Sequence, residues 1–188
     1  MNFLFEPQSL PEVILIKPEK RGDERGFFME TYRQSIYRKH GIKDVFVQDN
    51  AARSRKDVLR GLHYQKFPNP QAKLVSVVKG SILDVAVDIR KGSPNYGQWL
   101  SAILSEENRH QLYIPIGFAH GYLALSDNVE LSYKVSAEYV PELDRGFLWN
   151  DPNIAIDWQI KRPILSQKDQ SQPLLKDSDN NFTYGEPV

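Results

Sequence analysis

Several segments of this chain set polar side chains into otherwise strand-like sequence, and these are where chemistry could occur. The most suggestive is Val58-Leu59-Arg60-Gly61-Leu62-His63-Tyr64-Gln65, followed by Gln71-Ala72-Lys73-Leu74. Histidine titrates near neutral pH and lysine is a cation, so His63 and Lys73 on neighbouring strands would supply a proton acceptor and a positive charge together. Alone, a strand histidine serves equally well as a structural hydrogen-bonder. Strict alternation puts His63 on one face with Leu59 and Gly61, and Arg60 on the other. Both can serve one pocket only if Gly61 bulges or Arg60 works from a rim.

Three further segments carry polar groups. Asp23-Glu24-Arg25-Gly26-Phe27-Phe28-Met29-Glu30 reads as a charged turn entering an edge strand. It could also give Arg25 a bidentate grip on phosphate or carboxylate, with Glu30 accepting from a hydroxyl or base N–H. Ile114-Pro115-Ile116-Gly117-Phe118-Ala119-His120-Gly121 is a tight turn into a strand, with His120 at its mouth. Tyr133 sits in the apolar alternation of Val129–Val135 and fits an ordinary core position with a satisfied hydroxyl.

Metal chemistry is the obvious alternative. Metal-binding cupin barrels carry His-X-His on a strand and Pro-X-Gly-X-X-His downstream, and Pro115 to His120 has the second pattern. The first reads His63-Tyr64-Gln65, no acidic ligand follows at the cupin spacing, and Lys73 would repel a divalent ion. No metal is expected. Nor is there a Gly-X-Ser-X-Gly elbow, a glycine-rich phosphate loop or a dinucleotide fingerprint, so no redox cofactor is expected either.

The elements that must position these residues are mostly strands. Short apolar runs broken by Gly, Pro, Asn and Asp predict strands over 13–16, 45–48, 58–64, 74–78, 82–89, 99–104, 112–114, 120–125 and 129–135. In Ser81–Ile89, Leu83, Val85, Val87 and Ile89 alternate with Ile82, Asp84, Ala86 and Asp88, which predicts one face against a core and one against water or a cavity. Lys79-Gly80-Ser81 is a hairpin signal. The one clear helix is Thr31–His40, stopped by Gly41. Phe3–Pro11 is too short and broken to assign. The pattern predicts an all-β fold: a sandwich, jelly roll or small barrel.

Composition bounds the remainder. The 188 residues suit one domain spanning 1–188, with 177–188 a polar C-terminal tail or an arm lying on a neighbour. Equal numbers of basic and acidic residues, 24 each, argue against a nucleic-acid groove or a polybasic membrane patch. No apolar run approaches the roughly 20 residues of a membrane span. Zero cysteines exclude disulfides, thiolate metal sites and cysteine nucleophiles, and the cytosol is the default compartment.

Taken in order, the motifs resemble one known family. Gly22 to Phe28, Gln48-Asp49-Asn50, Val58 to Gln65, Gln71 to Val75, Asp84 to Arg90 and Ser93 to Gly97 all match. So do Gln111 to Gly121, Tyr133-Lys134, Trp149 to Pro152 and Ser166-Gln167-Lys168-Asp169. The chain is similar, over about residues 10–174, to the dTDP-4-dehydrorhamnose 3,5-epimerases, metal-free cupins of deoxysugar nucleotide biosynthesis. Their substrate carries a ketone at carbon 4 of a 6-deoxyhexose, which acidifies the hydrogens on carbons 3 and 5. Inversion then needs a base, an oxyanion stabiliser and an acid on the opposite face, and no cofactor.

The resemblance implies roles residue by residue. His63 is the base, Asp169 holds its other ring nitrogen, Lys73 stabilises the enolate and Tyr133 returns a proton from the far side. Arg25, Glu30, Gln48, Asp49, Asn50, Arg60, Lys73, His120 and Lys168 match substrate-binding positions, as does Asp144, where some family members have Glu. The family is homodimeric, so the Arg25–Glu30 segment could complete the other subunit's site. The competing readings are a relative that inverts one carbon, a metal-dependent cupin and a non-catalytic sugar-nucleotide-binding barrel. The set His63, Lys73, Tyr133 and Asp169 argues against the last, because binding alone needs no base opposite an acid.

Overall fold

The alternation of Ser81–Asp88 predicts one face against a core and the other against water or a cavity, but in the computed structural model, described over residues 2–186, both faces are buried. Leu83, Val85 and Val87 pack outward beneath the C-terminal segment, against Phe147, Trp158, Leu175 and Phe182. Ile82 and Ala86 pack inward against Val75, Leu112, Tyr122 and Leu131. Asp84 and Asp88 therefore point into the protein rather than into water, and both are fully buried.

In chain order the strands are β1 Phe3–Pro7, β2 Ile14–Pro18, β3 Lys20–Asp23, β4 Gly26–Met29, β5 Gln48–Ser54, β6 Leu59–Gln65 and β7 Lys73–Lys79. They continue as β8 Ser81–Asp88, β9 Trp99–Ser105, β10 Gln111–Ile114, β11 Phe118–Ala124, β12 Val129–Val135 and β13 Asp144–Gly146. Helices α1 (Gln34–Lys39) and α2 (Gln167–Gln170) are short. A six-stranded sheet ordered β1-β2-β10-β7-β12-β5 faces a five-stranded sheet ordered β13-β6-β11-β8-β9. The named strand pairs are antiparallel. This is a cupin-type jelly roll: an inner core between the sheets and a further apolar layer outside each. The hairpin β3–β4 stands apart as its own two-stranded sheet, with Phe27 and Phe28 exposed.

The expected strands are present, with informative exceptions. Lys79-Gly80-Ser81 is not the expected hairpin: β7 and β8 lie in different sheets, and the turn carries the chain from one to the other. The apolar run at 45–48 pairs in the sheet only from Gln48; Val45 and Val47 are exposed. Strand β5 is instead built of Gln-Asp-Asn-Ala-Ala-Arg-Ser, because its inward face lines a cavity rather than the core. The helix expected over 31–40 forms only at Gln34–Lys39, since Arg33 is an extended N-cap with no capping side chain. Gly41, at φ +92°, follows the His40 C-cap as expected. Phe3–Pro7, unassigned from sequence, pairs with β2. The tail packs on its own barrel: Phe182 is buried beside Tyr64 and Phe67, Asn180 bonds the Ile89 carbonyl, and Thr183 bridges to Lys91.

One irregularity decides where the functional side chains point. Along β6–β11, His63 pairs with His120 and Arg60 with Tyr122, so Gly61 and Leu62 together oppose Gly121. This is a β-bulge, and the extra residue turns Arg60 onto the His63 face while Leu62 packs into the outer core. Gly61 sits at φ +132°, and a Cβ there would lie 2.5 Å from the Gly121 Cα. Because the obstructing atoms are backbone, Gly61→Ala is expected to cost at least about 3 kcal/mol in urea denaturation. Gly92→Ala, at φ +84° with open space around it, should cost only about 1–2 kcal/mol. Equal costs would refute the close-approach account.

Candidate active site

Polar side chains from both sheets converge at one end of the barrel. Two cavities, of about 320 and 400 Å³, share His63, Lys73 and Tyr133 in their walls. The smaller is completed by Gln48, Asn50, Gln65, Gln71, Tyr139 and Asp144. The larger is more apolar and includes Arg60, His120, Tyr122, Leu131, Lys168 and Asp169. His63 and His120 project from the five-stranded sheet, Lys73 and Tyr133 from the six-stranded sheet, so the two groups face each other across the gap.

Asp169 is placed by a helix start. Ser166 is the N-cap of α2 and accepts from the Asp169 N–H at 3.1 Å, while its hydroxyl donates to Asp169 Oδ2 at 2.9 Å. That leaves Asp169 Oδ1 to bond His63 Nε2 at 2.6 Å. Burial alone would raise the Asp169 pKa, but the bonds from His63 and Ser166 and the charge of Lys168 outweigh it and hold it below the usual range. An ionised carboxylate only accepts, so His63 Nε2 carries the hydrogen and Nδ1 is the nitrogen free to take a proton.

Lys73 is pushed down to about 8, because burial removes water from its ammonium faster than Asp144 and Asp84 compensate. Its one protein hydrogen bond among the described residues is long, 3.5 Å to the His63 carbonyl, so it has capacity for a ligand oxygen. Burial raises the Tyr133 pKa, so the phenol is protonated at neutral pH. A second imidazole, His120, bonds Asp84 Oδ1 through Nε2 at 2.6 Å, and burial lowers its pKa.

The other expected residues divide into two groups. Arg60 lines the larger cavity, tied to Ser54 Oγ at 3.2 Å. Gln48 and Asn50 line the smaller one and bond each other at 2.8 Å. Asp144 accepts from Lys168 at 2.5 Å and from the Tyr139 hydroxyl at 3.0 Å. Asp49, between Gln48 and Asn50 on an alternating strand, turns outward to Lys134. Arg25 and Glu30 lie at the exposed β3–β4 hairpin and just after it, paired with Asp23 and Arg33, and line neither cavity of their own chain.

Sequence reasoning did not single out Tyr139, Gln71, Ser166 or Asp84. Ser166 was findable as a Ser-X-X-Asp capping box, and Asp84 as a carboxylate on an inward strand face. Tyr139 lies in an irregular loop with no periodic signal. Gln65, at the second ligand position of the cupin pattern, is engaged by its own loop: it donates to the Asn69 and Glu138 carbonyls and accepts from Val140 N–H.

A base, a cation and a phenol around one cavity suit proton transfer beside a carbonyl, and comparison with known proteins agrees. Residues 7–177 match the family model described as dTDP-4-dehydrorhamnose 3,5-epimerase. A relative of that name from Methanothermobacter thermautotrophicus is 48% identical over 180 residues, covering 94% of this chain and 97% of the relative. The Legionella pneumophila dTDP-6-deoxy-D-glucose-3,5-epimerase, solved in complex with dTDP-4-keto-L-rhamnose, is 47% identical with a TM-score of 0.91 over 94% of each chain. The Bacillus anthracis dTDP-4-dehydrorhamnose 3,5-epimerase, solved with TDP and PPi bound, is 42% identical with a TM-score of 0.90, over 92% of this chain and 99% of that one. Similarity on this scale, spread over nearly every element that builds the cavity, places the chain in the dTDP-4-dehydrorhamnose 3,5-epimerase family.

Proposed function

We propose that this chain is an isomerase that inverts carbons 3 and 5 of dTDP-4-dehydro-6-deoxy-D-glucose, giving dTDP-4-dehydro-L-rhamnose by proton transfer between its own side chains and the sugar. The observation that carries this reading is the placement of His63 and Tyr133 on facing sheets around one shared cavity. A sugar ring lying between them would offer one face to the base and the other to the acid. His63 Nδ1 takes the hydrogen from the carbon next to the ketone, and the electron pair moves onto the carbonyl oxygen. Lys73 stabilises the resulting enolate, an interaction stronger in the transition state than in the ground state. Tyr133 then protonates the carbon from the opposite face, and both side chains reset by exchange with solvent. Asp169 holds His63 in the basic tautomer throughout.

Arg60 and Lys168 suit the diphosphate, while Gln48 and Asn50 offer amide groups to the base or sugar, and His120 and Asp144 complete the wall. Asp49 contributes through its backbone on the free edge of β5. Arg25, on an exposed hairpin, and Glu30, just after it, line neither cavity of their own chain and serve a second copy, so the working form is a homodimer. No helix of the described residues is long and apolar enough to cross a membrane. A chain with no cysteine and a nucleotide-sugar substrate fits the cytosol.

Proton NMR of dTDP-4-keto-6-deoxyglucose in heavy water with the enzyme tests the reading. Signals at both carbons 3 and 5 are expected to disappear; loss at carbon 3 alone would assign a single-site epimerase, and no exchange would reject epimerase activity on this substrate. His63→Asn should slow exchange at both carbons by about 10²- to 10⁴-fold.

Lys73 adds a pH prediction. Its cation is needed, so kcat/KM should fall as pH rises through about 8, and Lys73→Met should be slow and lack that descending limb. Stability has the opposite sign. With a folded pKa of about 8 against 10.5 unfolded, the unfolded chain binds more protons between those values, so this group makes stability rise with pH across that window. Below pH 8 the charged lysine costs at most roughly 3 kcal/mol, so Lys73→Met should raise Tm at pH 7. An unchanged alkaline limb or a lowered Tm in this variant would contradict the assignment.

A further inference from the structure

Strand β8 carries two fully buried carboxylates on one face, and they are treated differently. Asp88 is saturated: Oδ1 accepts from the Arg90 backbone N–H and Nε at 2.9 and 3.0 Å, and Oδ2 accepts from Arg90 at 2.7 Å and Ser93 at 2.6 Å. Asp84 has one bond only, from His120 Nε2 to Oδ1, and its Oδ2 is buried with no hydrogen-bond partner among the described residues. Leaving a buried charged acceptor unsatisfied costs at least about 1–3 kcal/mol, which packing alone gives no reason to keep. Asp84 lies directly behind the cavity wall, bonded to His120 and paired with Tyr122. Tyr122, paired with Asp84 across β8–β11, and His120 both line the cavity wall that also contains Lys73.

The geometry of His120 follows from this carboxylate. Asp84 can only accept, so Nε2 carries the imidazole hydrogen; burial keeps the ring neutral, which leaves a lone pair on Nδ1. We propose that Asp84 is a positioning residue of the epimerase site: through Oδ1 it fixes His120 in the tautomer whose Nδ1 accepts a hydrogen bond from the substrate, and its carboxylate sits behind the cavity wall as a counter-charge to Lys73. The proposal rests on the epimerase reading above.

The charged and titratable groups around Lys73 define what removal of Asp84 does. Lys73 faces Asp84 on β8, Asp144 on β13, Lys168 on α2, His63 on β6, His120 on β11 and Tyr133 on β12. Asp84 and Asp144 favour its charge, and Lys168 opposes it. With Asp84 gone, Asp144 alone offsets burial, and Lys168 already occupies Asp144 at 2.5 Å.

The test is a pH series on Asp84→Asn, which keeps the size and one acceptor oxygen but removes the charge. We expect kcat to fall about a hundredfold, the loss typical of a mispositioned site group, and the alkaline limb of kcat/KM to move to lower pH. Asp88→Asn should lower Tm and leave the limb in place. A folded Asp84→Asn enzyme with the wild-type kcat and limb overturns the proposal. Absence of carbon–hydrogen exchange by the unaltered enzyme would instead remove the epimerase reading beneath it. If Asp84→Asn does not fold, long-range ¹H–¹⁵N spectra of the unaltered protein decide: His120 protonated at Nε2 with a bare Nδ1 supports the proposal, and an Nδ1–H tautomer overturns it.

Discussion

A base that must take a proton from carbon inside a half-buried cavity needs its far nitrogen occupied, and the 2.6 Å bond between His63 Nε2 and Asp169 Oδ1 provides this. Much of the site can be read as support for that bond. Ser166 caps the short helix that presents Asp169 and fills its second oxygen, so the carboxylate has one direction left in which to accept. The bulge at Gly61–Leu62 sets the register in which His63 stands opposite His120 and shares a face with Arg60. Glycine at 61 is required because a Cβ there would lie 2.5 Å from the Gly121 Cα, and at 121 a Cβ would be crowded, 3.0 Å from the Arg60 carbonyl oxygen.

The electrostatics of the cavity follow from placing charge between two sheets. Burial raises Tyr133, which keeps the phenol protonated, and works against Lys73, which it lowers to about 8 although the cation is the form enolisation needs. Two carboxylates, Asp84 and Asp144, keep the lysine from losing its charge altogether. The site is therefore stabilised less than an apolar cavity of the same size would be, the usual relation between a reactive site and a rigid core.

Much of the fold was legible because alternation in β8 and β12 is unambiguous and the turns carry Gly, Pro and Asn. Strand β5 was hidden for the opposite reason: its inward residues line a cavity and are polar, so they give no apolar period. The short α1 shows that helix-like composition over 31–40 does not start a helix without a cap. At the site, His63 and Lys73 could be proposed from residue type and Tyr133 only through the family resemblance, while Arg60 joins the His63 face through a bulge that sequence could state only as a condition. The outward turn of Asp49 follows from strand alternation, yet required knowing that β5 is a strand. The hairpin carrying Arg25 was recognised as an edge, and its exposure explains why its residues have no place in their own chain's cavity.

The account stands on division of labour across the ring: His63 removes the hydrogen from one face and Tyr133 delivers to the other. Following solvent deuterium and product stereochemistry together in Tyr133→Phe measures this directly. Without the acid, His63 still takes and returns hydrogen on its own face. Exchange at the carbons beside the ketone should therefore persist while inversion falls by about a hundredfold or more. Exchange and inversion lost in equal proportion, or inversion undiminished, would contradict it.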